Sequence, residues 1–149
     1  MFVNLQTIPA GGVTLRGEED PSIIDISDPG VEFRRPIQYE LKVALVGKMF
    51  LAQGRLETVA RYTCSRCLKK FNDPIRTMEF QVQQEAEDLG GTIDLTDEIR
   101  ADMILALSTK PLCKQDCLGI CPNCGQDLNE RSCECSVDRS DSPFEGLKI

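Results

Sequence analysis

From Ile37 the chain alternates apolar and polar residues, with Ile37, Tyr39, Leu41, Val43 and Leu45 on one face and Gln38, Glu40 and Lys42 on the other. A period of two sends successive side chains to opposite faces of a pleated strand, so this run predicts a half-buried β-strand. Gly47-Lys48 can turn the chain, and Met49 to Thr63 is a second, less regular extended run with Gly54 as a bulge or point of close approach. Asn72-Asp73-Pro74 is a turn cluster, after which Met78, Phe80 and Val82 alternate with Glu79, Gln81 and Gln83 as a third strand. Three consecutive strands joined by short turns predict an antiparallel meander.

Residues 84–93 are acidic and contain Gly90-Gly91, which reads as an exposed loop. Asp94 can then cap a helix. Leu95, Ile99, Met103, Ala106 and Leu107 recur at helical spacing, Asp97 and Glu98 complement the positive end of the helix dipole, and Pro111 stops the segment. This helix should cover one face of the sheet. The first 35 residues hold one short strand candidate, Phe2 to Ile8, followed by Pro9-Ala10-Gly11-Gly12, and their fold stays open. No internal repeat is visible. Beyond Pro111 large apolar residues give way to Cys, Gly, Asn, Asp and Ser, too little apolar surface to order the segment without a staple. The expected architecture is α+β: an antiparallel β-meander or sheet covered by one helix, with a zinc-stapled C-terminal segment. Residues 1–111 would form the core domain, and residues 112–149 a Cys-rich knuckle segment tied to it through Cys64 and Cys67.

At 149 residues, 41% hydrophobic and 28% charged, the chain suits one compact core with a small appendage. Its longest apolar stretch, Val43 to Ala52, is broken by Lys48, far short of the roughly 20 residues of a spanning helix. The opening Met-Phe-Val-Asn-Leu-Gln has no basic region ahead of an apolar one, so a cytoplasmic protein without a membrane partner is expected. Histidine is absent, which removes the imidazole base from Ser-His, Cys-His and His-metal catalysis. No catalytic residue and no small-molecule substrate are expected.

Eight cysteines carry the candidate chemistry: Cys64, Cys67, Cys113, Cys117, Cys121, Cys124, Cys133 and Cys135. In a reducing compartment such clustering points to metal before disulfides. Cys64-Ser-Arg-Cys67 and Cys121-Pro-Asn-Cys124-Gly125 are C-x2-C pairs, a spacing that presents two thiolates to one tetrahedral ion. Cys113-x3-Cys117 and Cys133-Glu-Cys135 supply two more pairs, enough for two four-thiolate zinc sites. One arrangement joins Cys64, Cys67, Cys113 and Cys117 and leaves Cys121, Cys124, Cys133 and Cys135 as a self-contained knuckle. The other groups Cys113, Cys117, Cys121 and Cys124. A thioredoxin-like redox pair would want a βαβ unit, the 113–121 spacing departs from ferredoxins, and a nucleobase deaminase would need its proline before the pair.

The formal charge is −7, and each zinc held by four thiolates would add −2, which disfavours nonspecific binding of nucleic acid. The charge is uneven, however. Arg55, Arg61, Arg66, Lys69, Lys70 and Arg76 oppose only Glu57 and Asp73 between residues 55 and 76, whereas residues 79–102 carry eight acids against Arg100 alone. Arg61, Arg66, Lys69, Lys70 and Arg76, interleaved with Tyr62 and Phe71, are the candidate RNA-binding residues. The competing reading is a solvated charged strand face with both aromatics in the core.

Cys64-Ser-Arg-Cys67-Leu68 with Phe71, Ile93-Asp94-Leu95 entering the helix, Leu107-Ser-Thr-Lys-Pro111-Leu-Cys113 and Cys117-Leu-Gly-Ile-Cys121-Pro-Asn-Cys124-Gly125-Gln-Asp-Leu128-Asn129 before Cys133-x-Cys135 together resemble the YceD family, the large ribosomal RNA subunit accumulation proteins. The ending Pro143-Phe144-x-x-Leu147 is similar too. The resemblance implies a non-enzymatic role in ribosome biogenesis, in synthesis, processing or stability of large-subunit (23S-type) rRNA. It implies a partner that is an rRNA precursor or a ribosomal protein. Family members commonly keep the pairs matching Cys64/Cys67 and Cys113/Cys117 and often lack the knuckle, which favours the first arrangement. Other readings are a zinc-binding protein-interaction adaptor without RNA contact and a thiol-redox sensor.

Overall fold

The computed structural model describes residues 1–135. The closing Pro143-Phe144-x-x-Leu147 lies outside them. The chain divides into two compact units, one of Met1–Tyr62 with Phe71–Thr109, the other of Thr63–Lys70 with residues 110–135. The Cys64–Cys67 turn thus belongs with the C-terminal cysteines.

The first unit is an antiparallel sheet with one helix. Its strands are β1 (Phe2–Asn4), β2 (Val13–Glu19), β3 (Val31–Phe33), β4 (Ile37–Val46), β5 (Met49–Thr63), β6 (Lys70–Glu85) and β7 (Thr92–Asp94), followed by helix α1 (Thr96–Leu105). β4 and β5 form a hairpin from Val46↔Met49 to Gln38↔Glu57, and β2 runs antiparallel along the far side of β4. β3 continues along β5 with a register offset by two from that of β4, Val31 facing Tyr62 and Phe33 facing Ala60. At this jog the buried Thr58 donates its hydroxyl to the Arg35 carbonyl at 2.9 Å, occupying an acceptor at the break in the ladder. β6 pairs with β5, and β1 pairs with β7 as a separate two-stranded sheet.

The alternation resolves into one buried face. Ile37, Leu41 and Val43 from β4 and Phe50, Ala52, Leu56, Ala60 and Tyr62 from β5 join Leu95 at the helix N-cap and Ile99 and Met103 from the helix in a single core. Ile99 and Met103 are fully buried, and each such side chain stabilises the fold by about 1.5–3 kcal/mol. Gly54 is a close-approach point: a side chain there would drive its Cβ into the Glu40 carbonyl oxygen of the neighbouring strand. Among the described residues no helix is long and apolar enough to cross a membrane.

Several local expectations change. Asn72-Asp73-Pro74 lies inside β6 rather than at its start, because the Cys64–Lys69 segment makes the turn; β6 pairs with β5 alone among the described residues, and an edge strand tolerates proline. Met78 is 67% exposed rather than in phase with Phe80 and Val82. Phe71, Ile75 and Thr77 are the less exposed residues on odd positions, then Phe80 and Val82 on even ones, so the pattern changes phase across the exposed Met78 and Glu79. Residues 84–93 are not all loop: Ala86 is buried and Thr92–Asp94 pairs with Phe2–Asn4. Phe2 to Ile8 is a three-residue strand and then a 3-10 turn, Leu5–Thr7. The helix N-cap is Leu95; Asp94, one residue earlier, accepts from the backbone N–H of Thr96 at 3.0 Å and so still occupies a first-turn donor.

Candidate metal centres and the surrounding charges

In the second unit the eight cysteines form two groups of four, Cys64/Cys67/Cys113/Cys117 and Cys121/Cys124/Cys133/Cys135, each with its sulfurs within 4.8 Å of one another. Either group could hold a metal ion. Of the two groupings the spacing allows, the chain adopts the one that pairs Cys64 and Cys67 with Cys113 and Cys117. Sγ atoms of Cys64 and Cys117 are 3.8 Å apart and those of Cys67 and Cys113 3.6 Å. A tetrahedral ion with metal–sulfur bonds of about 2.3 Å requires edges of about 3.8 Å, and a disulfide would need about 2.05 Å. These two distances in the first group match the edges of a tetrahedral thiolate site, and the four-thiolate donor set of each group suits zinc.

Each group is nucleated by the same backbone device. The Cys64 N–H donates to the Lys69 carbonyl at 2.9 Å and the Leu68 N–H to the Cys64 carbonyl at 3.0 Å; likewise Cys121 N–H donates to Gln126 at 2.8 Å and Gly125 N–H to Cys121 at 2.9 Å. Both turns need a left-handed residue after the second cysteine, Gly125 at φ 72° and Leu68 at φ 59°. Glycine adopts this without cost, whereas leucine does not. Leu68 is 61% exposed, so its side chain is not recovering that cost by burial.

The thiols titrate apart. Burial raises Cys64, but the N–H groups of Cys67, Cys113 and Arg66 outweigh it and bring the thiol down to about 6. The N–H groups of Cys124 and Asn123 bring Cys121 to about 6. Burial and the neighbouring Cys67 and Cys117 push Cys113 up to about 12, while Cys124, with burial, pushes Cys135 to about 12. Turn N–H groups stabilise the first thiolate, and crowding opposes the last. A divalent cation at the centre removes that opposition.

Polar side chains outside the ligand set fix the frame. Arg66 donates to the Cys117 carbonyl at 2.8 Å, and its own carbonyl accepts from the Ile120 N–H at 3.2 Å. Gly119, at φ 81°, passes so close that a Cβ would lie 3.1 Å from the Arg66 oxygen. Asn129 accepts from the Leu118 N–H at 2.9 Å and points its amide at Cys117 Sγ at 3.5 Å. Asp127 accepts from the Asn129 N–H at 2.8 Å and pairs with Lys69 at 2.8 Å; Lys69, with Asn129, holds its carboxyl down at about 2. Sequence reasoning quoted Asp127 and Asn129 without a role, and these contacts supply one.

Three of the five candidate RNA-binding residues already hold partners within the chain. Lys69 is paired with Asp127 and Glu130, Arg76 with Glu57 at 2.9 Å, and Arg66 with the Cys117 carbonyl. Arg61 sits in β5 opposite Glu32, and Lys70 is exposed at the start of β6. Tyr62 is 2% exposed and stacks on Phe71 with ring centroids 5.9 Å apart. Both aromatics belong to the core.

An antiparallel sheet with one helix, together with two four-cysteine groups that could each hold a four-coordinate ion without an open position for substrate, defines a β-rich protein with candidate structural metal centres. Residues 52–149 match the family described as large ribosomal RNA subunit accumulation protein YceD. The chain belongs to this family. It is 29% identical over 112 residues to an uncharacterized protein of Mycobacterium leprae (strain TN), covering 66% of this chain and 52% of the relative. It is 33% identical over 52 residues to the chloroplastic large ribosomal RNA subunit accumulation protein YCED homolog 1 of Arabidopsis thaliana, covering 35% of this chain and 16% of that protein. An uncharacterized protein of Mycobacterium tuberculosis (strain H37Rv) is 24% identical over 106 residues, covering 62% and 51%. The chain spans about half the length of its mycobacterial relatives and less of the plant one. No solved structure matches it.

Proposed function

We propose that this protein supports accumulation of large-subunit rRNA as a non-enzymatic assembly factor in the cytoplasm, stapled by two structural zinc ions and acting through a basic protein of the assembling particle. The observation that carries the reading is the family match over residues 52–149, the stretch that contributes all eight cysteines. Tetrahedral sulfur spacing supports zinc, and closed coordination supports a structural role for it. A protein partner is favoured over direct RNA contact because three of the five candidate cations already serve partners within the chain. The overall charge of −7 points the same way.

Depleting the protein from its own cells should lower large-subunit rRNA relative to small-subunit rRNA, with restoration by the wild-type chain. An unchanged ratio would overturn the proposal. Association with large-subunit proteins should survive nuclease digestion of the lysate; its loss would move the contact to RNA.

A further inference from the structure

A groove between β6 and the C-terminal end of α1 has features that neither the core nor the cysteine clusters use. Thr77, Met78 and Glu79 form one wall and Asp102, Leu105 and Ala106 the other, around a volume of about 380 Å³. Met78 and Glu79 are both exposed where the burial pattern of β6 changes phase. Met78 is 67% and Leu105 82% exposed, two large apolar groups on separate elements bordering one groove. Neither Glu79 nor Asp102 forms an ion pair among the described residues, and burial raises the Asp102 carboxyl. β6 also pairs on one side only among those residues, so its other edge has no strand partner among them.

We infer that this groove receives an extended, lysine- or arginine-rich protein segment running beside the open edge of β6. Aliphatic stems of the incoming side chains pack on Met78 and Leu105, and their cationic heads meet Glu79 and Asp102. Charge complementarity selects this occupant: the two carboxylates, without an ion pair among the described residues, lie within the stretch 79–102, which carries eight acids against one arginine. The inference rests on the reading above that the partner is a basic protein, and it names where that partner binds.

The test uses the full-length, zinc-replete chain and a labelled extended peptide of alternating lysine and valine, read by fluorescence anisotropy. The wild-type chain should bind it. The double reversal Glu79→Lys/Asp102→Lys should weaken binding about tenfold, and Met78→Ser/Leu105→Ser should weaken it severalfold. Glu18→Lys/Glu32→Lys, an equal change of net charge outside the groove and outside the stretch 79–102, should leave it within about twofold. Zinc content and far-UV circular dichroism confirm that each variant is folded, as the exposure of Met78 and Leu105 leads one to expect. Equal weakening by both reversals, no binding by the wild-type chain, or a single-stranded oligouridine competing for the same groove would each overturn the inference. If peptide binding is lost as expected while depletion leaves the rRNA ratio unchanged, the groove stands and the proposed function falls.

Discussion

The two clusters close very different lengths of chain, and their removal should therefore have unequal consequences. The first joins Cys67 to Cys113, 46 positions apart, and the second joins Cys124 to Cys133, nine positions apart. Loop-closure entropy rises by about 0.6 kcal/mol per doubling, so a loop about five times longer restrains the unfolded chain by roughly 1.4 kcal/mol more. Burial points the same way, since Cys64, Cys67 and Cys117 are buried in the first group and only Cys121 in the second. With equal intrinsic affinities, Cys64→Ser should lower stability by at least about 1.4 kcal/mol more than Cys133→Ser. Each variant should keep one zinc of two, measured by atomic absorption, with stability taken from urea unfolding of the same samples. Loss of both ions from either variant, or a larger loss of stability in Cys133→Ser, would refute the reasoning.

Gly54→Ala should destabilise the sheet by about 1–3 kcal/mol in urea unfolding, because its Cβ meets strand backbone rather than a movable side chain; a change under about 0.5 kcal/mol would mean that β4 and β5 separate easily. The Thr96 hydroxyl and N–H hold the Asp94 carboxyl below its ordinary 3.8. A group depressed in the folded state stabilises above its unfolded value and loses that contribution as pH falls through the folded one. The stability difference between wild type and Asp94→Asn should therefore be full above about pH 4 and shrink on further acidification, as read from urea midpoints across that range. Leu68→Gly relieves a left-handed leucine at roughly 1–2 kcal/mol, offset by about 0.5–1 kcal/mol of added chain entropy. It should keep both zinc ions and lose no stability, and a variant that sheds zinc would show that Leu68 props the turn.

The sequence was most legible where one face of an element is buried. The run Met49 to Thr63 is the observed β5 end to end, and Leu95, Ile99 and Met103 reach the core as their spacing predicts. Cysteine spacing left two groupings open, and the resemblance to the family favoured the one the fold adopts. The pattern failed where it changes phase: Met78 reads as the partner of Phe80 and Val82, yet it is exposed and lines the groove. It also failed for charges whose partners are distant in sequence. Lys69 meets Glu130 across 61 positions, a pairing that exists only once the cysteine clusters bring those turns together. Val13–Glu19 escaped notice because Gly17 and two flanking acids mask a short alternation that its neighbour β4 completes.

Sedimentation of a native lysate through a sucrose gradient, at low and moderate salt and with or without nuclease, tests the central claim most directly. The protein should migrate with precursors of the large subunit, leave them as salt rises, and remain bound to large-subunit proteins after nuclease digestion. Migration only as a free small protein under every condition would contradict a role on the assembling particle.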